Sequence, residues 1–319
     1  MSSIDRRSFM KTALAAPVVS TLGLQEAILA QNEPAAAPSS FPCGKVGALQ
    51  ISRLLLGGNL LTHFTHSRDL KYVYTLTANY NTDDKIVQTL KLAEQHGVNT
   101  LVVHTVPHVI GLLANYRKEQ GGKIQWIVCP TAQPDSDRAG YIKQVEELVA
   151  EKCEAIYLWG VTGDRLTSEK KIDAIKDAVA IAHNAGVPSG VGAHDLNVIR
   201  YCEENNVPAD FYIKTFHHHN YPSGPKPEEI DGPHAELPGY WCREPKDTIE
   251  VMAAVEKPWF AFKVMAAGAI PPQEAFHYAY DNGADHILAG MFDFEIAQDV
   301  EIAKDALALT AQRARPWRS

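Results

Sequence analysis

Eight short apolar runs, each separated from the next by a longer stretch, limit what this chain can become. They fall at 53–56, 100–103, 125–129, 155–159, 188–192, 211–215, 259–264 and 286–289, and they are apolar continuously rather than alternately. Runs of that kind belong to strands buried on both faces, whereas alternation marks a strand with one wet face. Between them, 84–96, 141–152, 169–184 and 246–255 carry apolar residues at helical spacing. Gly97, Gly186 and Gly283 stand just before the next strand, where a glycine supplies the positive φ that ends a helix.

Strands alternating with helices leave two topologies, a closed barrel or an open doubly wound sheet. The open sheet announces itself by a glycine-rich turn after its first strand, and Leu56-Gly57-Gly58-Asn59 is not a GxGxxG turn. Eight repeats of roughly 30 residues, the length of one strand–helix–strand step, predict an α/β fold of the (β/α)8 TIM-barrel type. The chain of 319 residues is long enough to bury a large core without disulfides or metals. Its net charge of −8 disfavours a nucleic acid as partner, because phosphate binding needs a basic face. The five cysteines form no CxxC and no framework of paired spacings, which argues against zinc held by a cysteine cluster.

At the N-terminus, Asp5-Arg6-Arg7-Ser8-Phe9-Met10-Lys11 precedes an uncharged run from 12 to 24, with small residues following near Ala30 and at 35–37. The run is too short for a transmembrane helix, and the whole resembles a twin-arginine export signal. The expectation is a signal peptide at 1–30, a Pro-, Ala- and Ser-rich linker at 31–45, and a single barrel at 46–319. The resemblance implies that the twin-arginine machinery exports the folded chain to the bacterial periplasm or cell envelope.

Two segments are long for barrel loops: 60–81 after the first strand, and 217–241 after the sixth, which carries five prolines. Long loops at this end of a barrel build or cover active sites. Tyr72, Tyr74, Tyr80, Tyr221, Tyr240 and Trp241, with Asn59, Asn79 and Asn220, suit a hydroxylated substrate such as a carbohydrate.

The segment from Val46 to Asn59, the stretch Leu92-Ala93-Glu94-Gln95-His96-Gly97-Val98-Asn99-Thr100 and the run Ile287-Leu288-Ala289-Gly290-Met291 resemble aldo-keto reductases. That resemblance implies a barrel scaffold from Val46 to about Leu309, a nicotinamide cofactor, and a catalytic set of Asp and Tyr near strand two, Lys on strand three and His on strand four. Here strand two runs into His104-Thr105-Val106-Pro107-His108, strand three ends Val128-Cys129-Pro130, and strand four ends Leu158-Trp159-Gly160, so all four roles read as vacated. Gly268 and Gly290 stand where barrels bind phosphate through backbone N–H groups. The carboxylates of Phe292-Asp293-Phe294-Glu295 nearby place NAD(P) second among the cofactor readings.

Other polar residues collect at the strand ends. His104 ends strand two, His194-Asp195 ends strand five, Lys214 and then His217-His218-His219 close strand six, Lys263 lies on strand seven, Asp164 follows strand four, and Asp293 follows strand eight. Asp195, His217, His219 and Asp293 are candidate ligands for a divalent metal, with Zn, Mn or Fe suited to His and Asp donors. His217 and His219 are two apart, so in extended backbone they point the same way. His104, His194, Lys214 and Lys263 are candidate catalytic groups, the imidazoles as acid–base catalysts and the lysines as substrate anchors or Schiff-base formers. The expected function is metal- or His-assisted hydrolysis, isomerisation or elimination on a small polar substrate. The alternatives are a nicotinamide oxidoreductase with an altered catalytic set and a non-catalytic barrel that binds a ligand or partner.

Overall fold

The computed structural model describes residues 41–68, 70–226 and 242–319. The expected signal peptide, most of the expected linker and the part of the long sixth loop that holds Tyr240 and Trp241 lie outside the described residues.

The described chain opens with an antiparallel hairpin, β1 (Cys43–Val46) and β2 (Leu49–Ser52). The first hairpin strand therefore starts three residues inside the stretch expected as linker. Eight parallel strands follow: β3 (Leu54–Gly57), β4 (Thr100–His104), β5 (Gln125–Cys129), β6 (Ala155–Leu158), β7 (Ser189–Ala193), β8 (Phe211–Thr215), β9 (Trp259–Phe262) and β10 (His286–Ala289). They pair in chain order and close where β10 meets β3, with Leu288 opposite Leu55, so the expected (β/α)8 barrel is the fold.

The helices are α1 (Tyr72–Tyr80), α2 (Asp83–Gln95), α3 (Pro107–Gln120), α4 (Arg138–Ala150), α5 (Gly160–Ser168), α6 (Ile172–Asn184), α7 (Leu196–Glu204), α8 (Pro245–Ala254), α9 (Pro272–Asp281) and α10 (Ile296–Leu309). Helices α3, α8 and α9 each place a proline at or near their first position, where its missing N–H costs nothing. Among the described residues, no helix is long and apolar enough to cross a membrane.

The continuous apolar runs divide between two cores, which is why they do not alternate. Leu55, Val102, Ile127, Ala155, Phe211, Ile213, Phe260 and Leu288 fill the barrel interior. Their neighbours Leu54, Leu56, Leu101, Val103, Trp126, Val128, Ile156 and Leu158 pack outward with the helix layer. Burying one such side chain fully is worth about 1.5–3 kcal/mol. Val46 and Ile51 of the hairpin join the interior cluster. Hydrogen bonds from Asn99 and Gln125 to Gln50, and from the His286 ring to the Ser52 carbonyl, fasten the hairpin where the strands begin.

The C-terminal residues seal the same end. Asp285 is fully buried and receives Arg313 at 3.0 Å and Arg315 at 2.6 Å, while Arg53 donates to the carbonyls of Asp285 and Ser319. The end that remains for a ligand is the one where strands finish.

Candidate active site

A cavity of about 940 Å³ lies at that end. Val102, Ile213 and Leu288 belong both to its lining and to the interior apolar cluster, so it rests directly on the core. Above this floor, the strand ends and the loops after them supply the polar groups.

One hydrogen-bonded pair links the ends of two neighbouring strands. His194 follows the last residue of β7, and its Nδ1 lies 2.7 Å from Oδ2 of Asp164 on α5, the short helix after β6. The other Asp164 oxygen accepts the backbone N–H groups of His194 (2.9 Å) and Asp195 (3.0 Å). Burial opposes ionisation of Asp164, but the bonds from His194 and the two backbone donors outweigh it and hold the carboxyl below the usual carboxylate range. An ionised carboxylate can only accept, which places the proton on Nδ1 of His194. Burial disfavours the imidazolium, Asp164 favours it, and the charge on Lys263 opposes it; the net pKa lies below the ordinary histidine value. The ring is therefore neutral near pH 7, and its Nε2 offers a lone pair with no hydrogen-bond partner among the described residues.

The pair is set by close backbone approach. A Cβ on Gly163 of α5 would stand 2.5 Å from the carbonyl oxygen of Gly192 on β7, and a Cβ on Gly192 would stand 2.8 Å from the nitrogen of Gly160. Real Cβ atoms do not come so near, so only glycine lets α5 settle on β7 with Asp164 beside His194.

Lys263 follows β9 with φ +58°, a left-handed conformation that is costly for a residue with a Cβ. Its Nζ lies 3.2 Å from Nε2 of His66, which the first long loop brings over the mouth. Both residues line the cavity, as do His104 and Trp159. The His104 and Trp159 rings stack at 6.2 Å, and burial alone pulls the His104 pKa down. β4 ends at His104 and Trp159 follows β6, whereas Cys129, the last residue of β5, is fully buried and is not part of the cavity lining.

Five of the residues expected from the sequence, His104, His194, Lys263, Gly268 and Gly290, do meet at the cavity. The rest are elsewhere. Lys214 is fully buried, shares the outward register of Tyr212 and Phe216, and donates to the carbonyl (2.8 Å) and hydroxyl (3.1 Å) of Thr215. Ile213, not Lys214, is the β8 residue that faces the cavity.

The four expected metal ligands are not gathered. Asp195 caps α7 by accepting the N–H of Asn197. Asp293 receives Tyr80 at 2.6 Å and Lys85 at 2.7 Å. His217 and His219 do lie side by side, with ring centroids 6.0 Å apart, but both serve the backbone of Cys242. His217 accepts its N–H at 3.3 Å and His219 bonds its carbonyl at 2.6 Å. Burial pushes His217 down to about 3, which keeps it neutral. Among the described residues, no group of three or more His, Cys, Asp or Glu side chains is arranged to hold a metal ion.

The aromatic residues expected to stack on a sugar are also placed otherwise: of the candidates within the described residues only Asn59 lines the cavity. Tyr72 is 68% exposed, and Tyr221 packs against His217 and His218.

Several lining groups were not among the sequence candidates. Asp164 was placed after strand four but not paired with His194, since thirty residues separate them and the helix that unites them is rich in glycine. His66 lies in the long first loop, 60–81, but was not singled out within it. Glu295 and Asp299 line the cavity beyond Gly290. Asp299 was legible in principle, as an acid at an otherwise apolar helical face with Ile296, Val300 and Ala303. Burial, with Glu295 beside it, pushes Asp299 up to about 6.

No protein-family model matches the sequence, and no curated protein matches it. Solved structures do. A putative aldo-keto reductase from Pseudomonas aeruginosa superposes with a TM-score of 0.55 at 16% identity, over 83% of this chain and 95% of that one. An aldo-keto reductase from Bacillus halodurans superposes with a TM-score of 0.55 at 10% identity, over 86% and 98%. At such identities the likeness is one of fold: the chain is a closed eight-stranded (β/α)8 barrel of the architecture seen in aldo-keto reductases.

Proposed function

We propose that the cavity catalyses metal-independent proton transfer at a carbon next to a carbonyl or carboxylate, giving isomerisation or elimination of a small polar substrate. The observation that carries this reading is the 2.7 Å bond between His194 and an ionised Asp164 at the wall of the cavity. His194 Nε2 takes the proton, Asp164 fixes the ring and steadies the imidazolium, and Lys263 offers positive charge to the enolate oxygen. Where the carbon also bears a hydroxyl, passage of that hydroxyl's proton to the enolate oxygen and return of the abstracted proton to the former carbonyl carbon complete an isomerisation; departure of a β-substituent with its bonding electron pair completes an elimination.

The donor set speaks against a resident metal, because the candidate ligands are spent on Cys242, Asn197, Tyr80 and Lys85. It also speaks against a dinucleotide, whose phosphates beyond Gly290 would meet Glu295 and Asp299. We read Arg6-Arg7 as the export address of this enzyme; periplasmic recovery undiminished by replacing both arginines with lysine would sink that part.

The chemistry is tested by incubating the full chain in D2O with a panel of small hydroxy- and keto-acids and ketoses and following loss of the α-proton signal by NMR. Exchange should fall about 10²-fold or more in His194→Gln and in Asp164→Asn, with both variants folded. Exchange that survives His194→Gln overturns the assignment.

A further inference from the structure

The cavity has two chemically opposite regions, and the catalytic pair uses only one of them. Lys263, with His66, holds the positive region. Beyond Gly290, Glu295 and Asp299 make the other region negative. Asp299 is only 5% exposed, yet its carboxylate accepts no hydrogen bond from any described residue. Glu295 spends one oxygen on the Phe292 N–H at 2.8 Å.

Buried polar groups in folded proteins are almost always satisfied, so acceptors left open inside a cavity mark where a ligand's donors go. The unmet demand here is for donors and for positive charge. A neutral hydroxyl would meet the first need and leave two like charges facing each other. A hard divalent cation takes six or more oxygens, and this region offers too few. An alkylammonium brings one positive charge and three donors.

We propose that the region lined by Glu295 and Asp299 is a subsite for a primary ammonium group. The substrate is then a small amine whose carbonyl or carboxylate end lies toward Lys263. The inference rests on the reading of this cavity as the substrate site, but it concerns recognition and is read without turnover.

The test uses the full chain and matched pairs differing only in the amine: 4-aminobutanoate against butanoate, and glucosamine against glucose. Affinity is measured by ligand-observed NMR titration at pH 7.5. At least one amine should bind about 10-fold or more tightly than its neutral twin, a difference of ~1.4 kcal/mol. Asp299→Asn, which keeps the side chain's shape, should bring the pair to within 2-fold; Glu295→Gln should narrow the gap as well. Folding of both variants is checked by circular dichroism. Equal binding of the twins, no amine bound, or a preference untouched by both variants overturns the subsite. So does stoichiometric Mn2+ binding, lost in Asp299→Asn, without amine preference. The same titration on His194→Gln separates the two proposals: a preference kept there while proton exchange fails in the parent chain removes the chemistry and leaves the subsite standing.

Discussion

At the scale of the residue, His194 is poised by two opposing neighbours. Asp164 raises its proton affinity and Lys263 lowers it, on top of the larger lowering from burial. A base must be neutral to act, so proton exchange should hold level at pH 7 and fall on acidification, with an apparent pKa below the ordinary histidine value near 6.5. Replacing Lys263 by Met removes a repelling charge, so the acid limb of the pH–rate profile should move to higher pH. Asp164→Asn removes the attracting partner and should move it lower, along with the loss of rate. Opposite displacements in the two variants would tie the profile to His194; an acid limb that stays put in both would assign it to another group. Lys263 also shows how local cost and site coincide, since its left-handed backbone is of the kind that costs about 1–3 kcal/mol and gathers where function demands it.

At the scale of the element, the contact of α5 with β7 decides whether Asp164 reaches His194. Gly163→Ala would drive a methyl group against the Gly192 carbonyl, 2.5 Å away. Overpacking of this kind costs about 1–3 kcal/mol, and here it also pushes the helix that carries Asp164. Proton exchange should drop more than stability alone explains, at temperatures where the variant is folded. Gly111→Ala is the matching control: it lies within α3 with nothing near its missing Cβ, and should stabilise by about 0.5–1 kcal/mol. Calorimetry on both, with exchange rates, decides the matter. This contact also explains what could be read from the sequence. The strands were legible because burial on two faces writes itself as an unbroken apolar run, and β5 matches its run from Gln125 to Cys129. Helix α5 was not legible, because Gly160 and Gly163 weaken the helical signal and the stretch passes for a loop. With it went the partner of His194.

At the scale of the whole molecule, the barrel is fastened at the end away from the cavity. Asp285→Asn would leave the buried Arg313 and Arg315 short of a counter-charge, and losing one partner of a buried charged group costs about 3–5 kcal/mol. A matching fall in the denaturant midpoint is expected with the slope unchanged, and a loss under 1 kcal/mol would show that the carbonyls around the arginines suffice. Residues far apart in the chain make this fastening, so the sequence alone carried no hint of it. It misled in the same way over His217 and His219. Their spacing was read as ligation, but an imidazole pair satisfies a backbone N–H and carbonyl equally well, and only the arrival of Cys242 beside them selects between the two.

The hairpin wedged into the opposite end of the barrel has a consequence for traffic. Among the described residues, Val46 and Ile51 fill that end, and the cavity lies at the other, where the strands finish. What enters must back out the way it came, so substrate and product cannot pass through in single file. Departure of one is a condition for arrival of the next, and an accumulated product stands in the doorway as a competitor of the molecule that gave rise to it.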